Sequence, residues 1–125
     1  MSGTRDGART QPNDAEIRAR ALLNQMVRRE LKSSGDDLAA ARPVDHYFYM
    51  ADEPSSHVLA AALASAGYEL VRVAQSALPG GTDWTIVARR SEELGPEFDR
   101  ATAVLELHAK ANGGVYDGWE SPVTR

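Results

Sequence analysis

The side chains best suited to chemistry in this sequence are three histidines, a serine-rich helix start and a diglycine. A metal site needs ligands that converge from one side of a helix or strand, as two histidines four apart on a helix do. His46, His57 and His108 fall instead on three separate segments, and each reads as a core or surface side chain. Asp52 with Ser55-Ser56-His57 has the residue types of a nucleophile and its base. Neighbouring positions on a helix diverge, and a serine near a helix start is explained by capping. A strained G-x-S-x-G elbow is missing, so hydrolysis is not expected. Gly80-Gly81 lacks the following Lys-Ser/Thr of a phosphate loop and reads as a hairpin turn. With no cysteine, thiolate zinc sites, disulfides and cysteine nucleophiles are all excluded. The expectation is a chain without catalytic residues, metal or cofactor.

Recognition chemistry is better represented. Gly113 to Glu120 read Gly-Gly-Val-Tyr-Asp-Gly-Trp-Glu. Asp117-Gly118 is the composition of a tight turn, which would hold Tyr116 and Trp119 at a fixed mutual angle. Both rings join an apolar body to a polar tip, as interface aromatics do. The same segment could equally clamp a last strand onto the core, since large aromatics usually pack inward. Tyr47 and Tyr49 form a second aromatic pair on one face of a strand. Tyr116, Asp117, Gly118, Trp119, Tyr47 and Tyr49 are therefore the candidate partner-binding residues, with Gly118 shaping the turn.

These residues are positioned by elements that hydrophobic spacing makes legible. Residues 1–12 are polar, without apolar spacing, and are expected to be disordered. Residues 13–43 form a helix and linker. Ala15, Ala19, Leu22, Leu23, Met26, Val27 and Leu31 recur at three and four residues, and Arg18, Arg20, Arg28, Arg29 and Lys32 lie opposite. The apolar stripe is expected to be buried. From Val44 the pattern becomes strand-like in VDHYFYM. A helix follows from Asp52-Pro54 to Gly67, then strands at 68–75 and 83–90 joined at Pro79-Gly80-Gly81. A last helix runs from Gly95-Pro96 to Asn112, leaving Val115-Tyr116 only a short final strand. The order over 44–125 is β-α-β-β-α-β, an α+β ferredoxin-like antiparallel sheet with an additional N-terminal helix. Both faces of the first strand carry large side chains, so one wet face is not cleanly marked. Either the N-terminal helix covers the second face or Tyr47 and Tyr49 make a partner surface.

Charge narrows the partners. Residues 1–43 carry a balance of +2 and residues 44–125 a balance of −6. An acidic body repels phosphate backbones and favours a basic protein partner, although solubility explains the same charge. The third strand, DWTIVARR, lacks the aromatic signature of an RNA-binding sheet, so direct nucleic-acid binding is not expected. The longest apolar run, Val58 to Ala64, is far too short to cross a bilayer, and the start is no secretory signal. A cytoplasmic protein is expected.

The segment Tyr116-Asp117-Gly118-Trp119 after a helix and glycine break resembles the closing signature of the regulator of ribonuclease activity B family. An N-terminal helix, the strand HYFY, a helix ending Ala66-Gly67-Tyr68, a strand pair and a final helix agree in order. The resemblance covers roughly residues 44–120. It implies a ferredoxin-like protein that binds the endoribonuclease E complex and dampens RNA cleavage, without catalysis or cofactor. Better-known members continue into a strongly acidic tail, whereas five residues follow Glu120 here, so contacts through such a tail are not expected. The alternative is a small-ligand-sensing ferredoxin-like domain. A homodimer would form through the N-terminal helix or the sheet face.

Overall fold

The computed structural model describes residues 11–76 and 83–124. The hairpin turn expected at Pro79-Gly80-Gly81 lies outside the described residues. So does the start expected to be disordered, except Gln11 and Pro12, which lead into the first helix.

The elements run α1 (Asp14–Ser33), β1 (Arg42–Met50), α2 (Glu53–Ser65), β2 (Glu69–Gln75), β3 (Trp84–Glu92), α3 (Pro96–Ala111) and β4 (Gly114–Glu120). The four strands form one antiparallel sheet in the order β2-β3-β1-β4, so the two central strands, β1 and β3, carry most of the core. This is the α+β ferredoxin-like arrangement expected from the sequence. Among the described residues, no helix is long and apolar enough to cross a membrane.

Local chemistry sets the helix ends. Asn13 caps α1 reciprocally with Glu16, each backbone N–H reaching the other's side chain at 2.8 Å. Asp52 caps α2 by accepting from the Ser55 backbone N–H at 2.9 Å and from its hydroxyl. Those bonds hold the Asp52 carboxyl below its usual range. Asp52 is thus the capping group, and Ser55, expected to cap, is instead its donor.

The inner sheet face is set by alternation along β1. Val44, His46, Phe48 and Met50 are buried, and Phe48 and Met50 join Leu59, Leu63, Ile86, Ala88, Leu105 and Ala109 in the main core. A second cluster of Leu31, Val44, Leu94, Phe98 and Trp119 lies where α1 meets α3.

The placement of α1 corrects the sequence reading in two ways. Most of its apolar stripe is turned outward, with Leu22, Leu23 and Met26 exposed at 72, 50 and 65 %, and only Leu31 and the half-buried Val27 reach the core. Arg20 and Arg28, expected in solvent, are buried together with Asn24 and Leu31. The cause is a set of polar partners on α3 that apolar periodicity does not register. Arg28 donates to the Leu94 carbonyl at 2.8 Å and to the Asp99 carboxylate. Asn24 donates to Asp99 and Thr102 at 2.9 and 3.0 Å. Hydrogen bonds to charged groups are each worth about 1.5–3 kcal/mol, enough to compete with burial of a leucine. Because α1 packs on α3, it does not cover the second sheet face.

The connection to β1 is also more than a linker. Arg42, fully buried, pairs with the Asp36 carboxylate and donates to the Asp37 carbonyl at 2.9 Å. Asp36 also accepts from the Thr124 backbone N–H at 2.8 Å, which ties the segment after β4 to the end of α1.

Candidate protein-binding face

The closing motif is a strand interrupted by a bulge, where the sequence suggested a short strand and a tight turn. β4 extends through Glu120. Against β1, Tyr116 pairs with Phe48 and Gly118 with Tyr47, so Asp117 is the additional residue. Gly118 sits at φ +110°, a conformation that a side chain disfavours. The bulge explains the spacing of the two aromatics. In a regular strand, residues three apart point to opposite faces. With one residue added between them, Tyr116 and Trp119 both turn inward, at 7 and 8 % exposure.

Each ring's polar tip is satisfied inside. Trp119 donates from Nε1 to Asn24 Oδ1 at 2.8 Å, and its indole packs edge-on against Phe98. The Tyr116 hydroxyl lies 2.8 Å from His46 Nδ1, and the Arg20 guanidinium stands 5.2 Å over its ring centroid. This placement is the clamp reading of the motif. Asp117 remains exposed at the bulge.

His46 continues the chain of polar contacts. Its Nε2 lies 2.6 Å from Glu92 Oε2, and Glu92 Oε1 accepts from Arg90 at 3.1 Å. No sequence spacing announces this pair, since His46 and Glu92 come from different strands. Phenol, imidazole and carboxylate in series have the form of a nucleophile, base and orienting group. Two features oppose that chemistry. The Tyr116 hydroxyl would occupy the nucleophile's place, and burial pushes it well above its ordinary value, so it keeps its proton. The ring and His46 are both enclosed in the core, at 7 and 1 % exposure. The arrangement fits a polar brace across the sheet, and His46 is a satisfied core histidine. His57 is exposed on α2 and His108 half-buried on α3. Among the described residues, no group of three or more potential ligands could hold a metal ion.

The other face of the sheet is built from the alternate positions: Asp45, Tyr47 and Tyr49 of β1, Thr85, Val87 and Arg89 of β3, Val115 and Glu120 of β4. Arg89 forms a two-pronged pair with Asp45 at 2.6 and 3.0 Å. The Tyr47 hydroxyl donates to Glu120, which fixes the ring across β4 and raises the phenol to about 12. Tyr49 and Val115 pair across β1 and β4 and stand exposed at 44 and 60 %. The structure thus separates the six candidates: Tyr47 and Tyr49 lie on the outer face, Tyr116 and Trp119 on the inner, with Asp117 and Gly118 making the bulge between them.

A second concavity lies between α2 and α3. It encloses about 290 Å³ over Leu59, Leu63, Tyr68, Val104 and Leu105, and Arg90 caps the Tyr68 ring at 4.1 Å.

Comparison with known proteins agrees with this architecture. No curated protein matches the sequence. The family model described as regulator of ribonuclease activity B matches residues 23–121. That span begins within α1, one residue before Asn24, and ends just past the bulged strand, so it holds the Asn24–Trp119 bond and the whole sheet. This chain belongs to the regulator of ribonuclease activity B family.

Proposed function

We propose that this chain is a non-catalytic regulator that binds an endoribonuclease of the E type, or the complex around it, through the outer face of its sheet. Family membership supports regulation of ribonuclease activity as the role. The observation that carries the surface is the uncovered pair Tyr49–Val115 beside Tyr47, on a face that α1 leaves open. An aromatic and aliphatic centre with carboxylates at its margin is a common composition for a protein-binding patch. Glu120 and Asp117 at the β4 edge, with no basic side chain on β4, favour a basic segment of the partner. In this reading Tyr116, Gly118 and Trp119 act indirectly, by fixing β4 so that Val115 and Glu120 stand beside Tyr49 and Tyr47.

The test is capture of purified endoribonuclease E by the wild type and by Tyr49→Ala and Val115→Ala, with RNA cleavage followed in parallel. Both exposed substitutions should weaken capture and relieve inhibition at least tenfold. Unchanged capture by both would refute the face.

The α2–α3 cleft favours a second reading, a small-ligand sensor. Its apolar floor and its volume, at the lower end for ligand sites, suit a small apolar molecule. A thermal-shift screen against metabolites would show it as a raised Tm, with Ala62→Leu, which narrows the cleft, abolishing the rise.

A further inference from the structure

Among the described residues, two surfaces lack a covering element. One is the outer stripe of α1, Ala15, Ala19, Leu22, Leu23 and Met26, with Arg18 and Arg29 along one side. The other is the outer sheet face, where Tyr47, Tyr49 and Val115 lie beside the β4 carboxylates Asp117 and Glu120. Each has an apolar centre, and Arg18 and Arg29 on one side of the stripe are opposite in charge to Asp117 and Glu120 of β4, while Glu16 and Glu30 border the stripe's other side and Arg89 of the sheet face is held by Asp45. A single chain cannot join them. Arg28, Asn24 and Trp119 hold α1 on the inner side of the sheet with its stripe pointing outward.

We infer that the outer stripe of α1 docks on the outer sheet face of a second copy of this chain, forming a reciprocal dimer. The two surfaces meet at a groove between α1, α3 and β4 lined by Ala19, Val115 and Tyr116, so they are continuous around the β4 edge. A two-fold axis beside that edge satisfies both contacts at once, which closes the assembly at two copies. Exposed leucine and methionine at this density on one helix otherwise form an unpaired apolar patch. The inference rests on the proposed use of the sheet face in one respect. If the ribonuclease binds there, dimer and ribonuclease complex exclude each other, and the active species is the monomer.

The experiment is sedimentation equilibrium of the full chain without ribonuclease, over a wide concentration range and at low and high salt. The wild type should move from monomer to dimer mass as concentration rises, and salt should weaken the dimer because charge contributes. Met26→Glu and Val115→Glu change exposed side chains on the two different surfaces, so circular dichroism should be unaltered. Each variant alone should raise the dissociation constant at least tenfold. An equimolar mixture of the two should recover dimer, because one intact stripe then meets one intact sheet face. Three results overturn the inference: a wild type that stays monomeric throughout, a Val115→Glu variant that dimerises like the wild type, or a mixture no more associated than its components. A monomeric wild type that still captures the ribonuclease sinks only the dimer. A dimer whose Tyr49→Ala and Val115→Ala variants capture ribonuclease normally sinks only the proposed function.

Discussion

The side-chain oxygen of Asn24 accepts the indole N–H of Trp119 at 2.8 Å, joining the first helix to the last strand across 95 residues of sequence. The amide nitrogen of the same residue reaches Asp99 and Thr102 on α3. One fully buried amide therefore fixes three elements, and its bonds with Trp119, Thr102 and Asp99 leave no polar group stranded at the joint.

Asn24→Ala should destabilise the domain by about 2–4 kcal/mol, because Trp119, Thr102 and Asp99 lose a partner in a buried setting. Leu22→Ala and Met26→Gln, on the exposed side of the same helix, should each change stability by less than about 0.5 kcal/mol. Urea denaturation of the three variants, at concentrations where the chain is monomeric, checks the contrast. If the apolar substitutions are the damaging ones, α1 is docked the other way round.

Asp36→Ala should cost about 3–5 kcal/mol, since it leaves the Arg42 guanidinium buried without its carboxylate. Replacing both residues, Asp36→Leu with Arg42→Met, should recover a large part of that loss. Thermal unfolding of the single and double variants measures it. A single variant as stable as wild type would show that the pair contributes little.

Alkaline pH should unfold the domain through its phenols. Burial raises Tyr116 well above 10 and Tyr68 to about 12, with the nearby Glu92 carboxylate adding to both. A phenol raised in the folded state contributes stability that is present below its unfolded pKa of 10 and lost as pH climbs through the folded value. Stability should therefore hold below pH 10 and fall between about 10 and 12. Tyr116→Phe should flatten that fall, although it is less stable than wild type at neutral pH. Denaturation midpoints across pH 8–12 test the slope.

Deleting Asp117 should leave Trp119 inside. With the additional residue gone, Tyr116, Gly118 and Trp119 form a regular strand against Phe48, Tyr47 and His46, and the two rings, now two positions apart, keep one face. Deleting Asp117 together with Gly118 makes the rings neighbours and carries Trp119 to the outer face, seen as a red-shifted tryptophan emission against the Trp84 background. A red shift from the single deletion would show that the bulge does more than set the spacing.

Much of the fold is legible in the residues. The run VDHYFYM, the Asp52-Pro54 start and the Gly67 stop are local signals, and each marks an element that forms. The docking of α1 is not legible in the same way, because the helix carries two stripes of equal period. Leu22, Met26 and their neighbours form one, Arg20, Asn24 and Arg28 the other. Apolar periodicity selects the first. What decides for the second is Asp99, Thr102 and Trp119, which reach the helix only once the sheet has formed. The site shows a similar split. Tyr47 and Tyr49 are read correctly as one face, since strand alternation is local. The inward turn of Tyr116 and Trp119 depends on a register against β1 that no four-residue string contains.

The polar seam between α1 and α3 gives the helix an unusual solvent sensitivity. Guanidinium ion is the free counterpart of the Arg28 head group and competes directly for Asp99, whereas urea carries no charge with which to do so. The two denaturants should thus dismantle the molecule in different orders: guanidinium frees the helix first, and urea melts helix and sheet together.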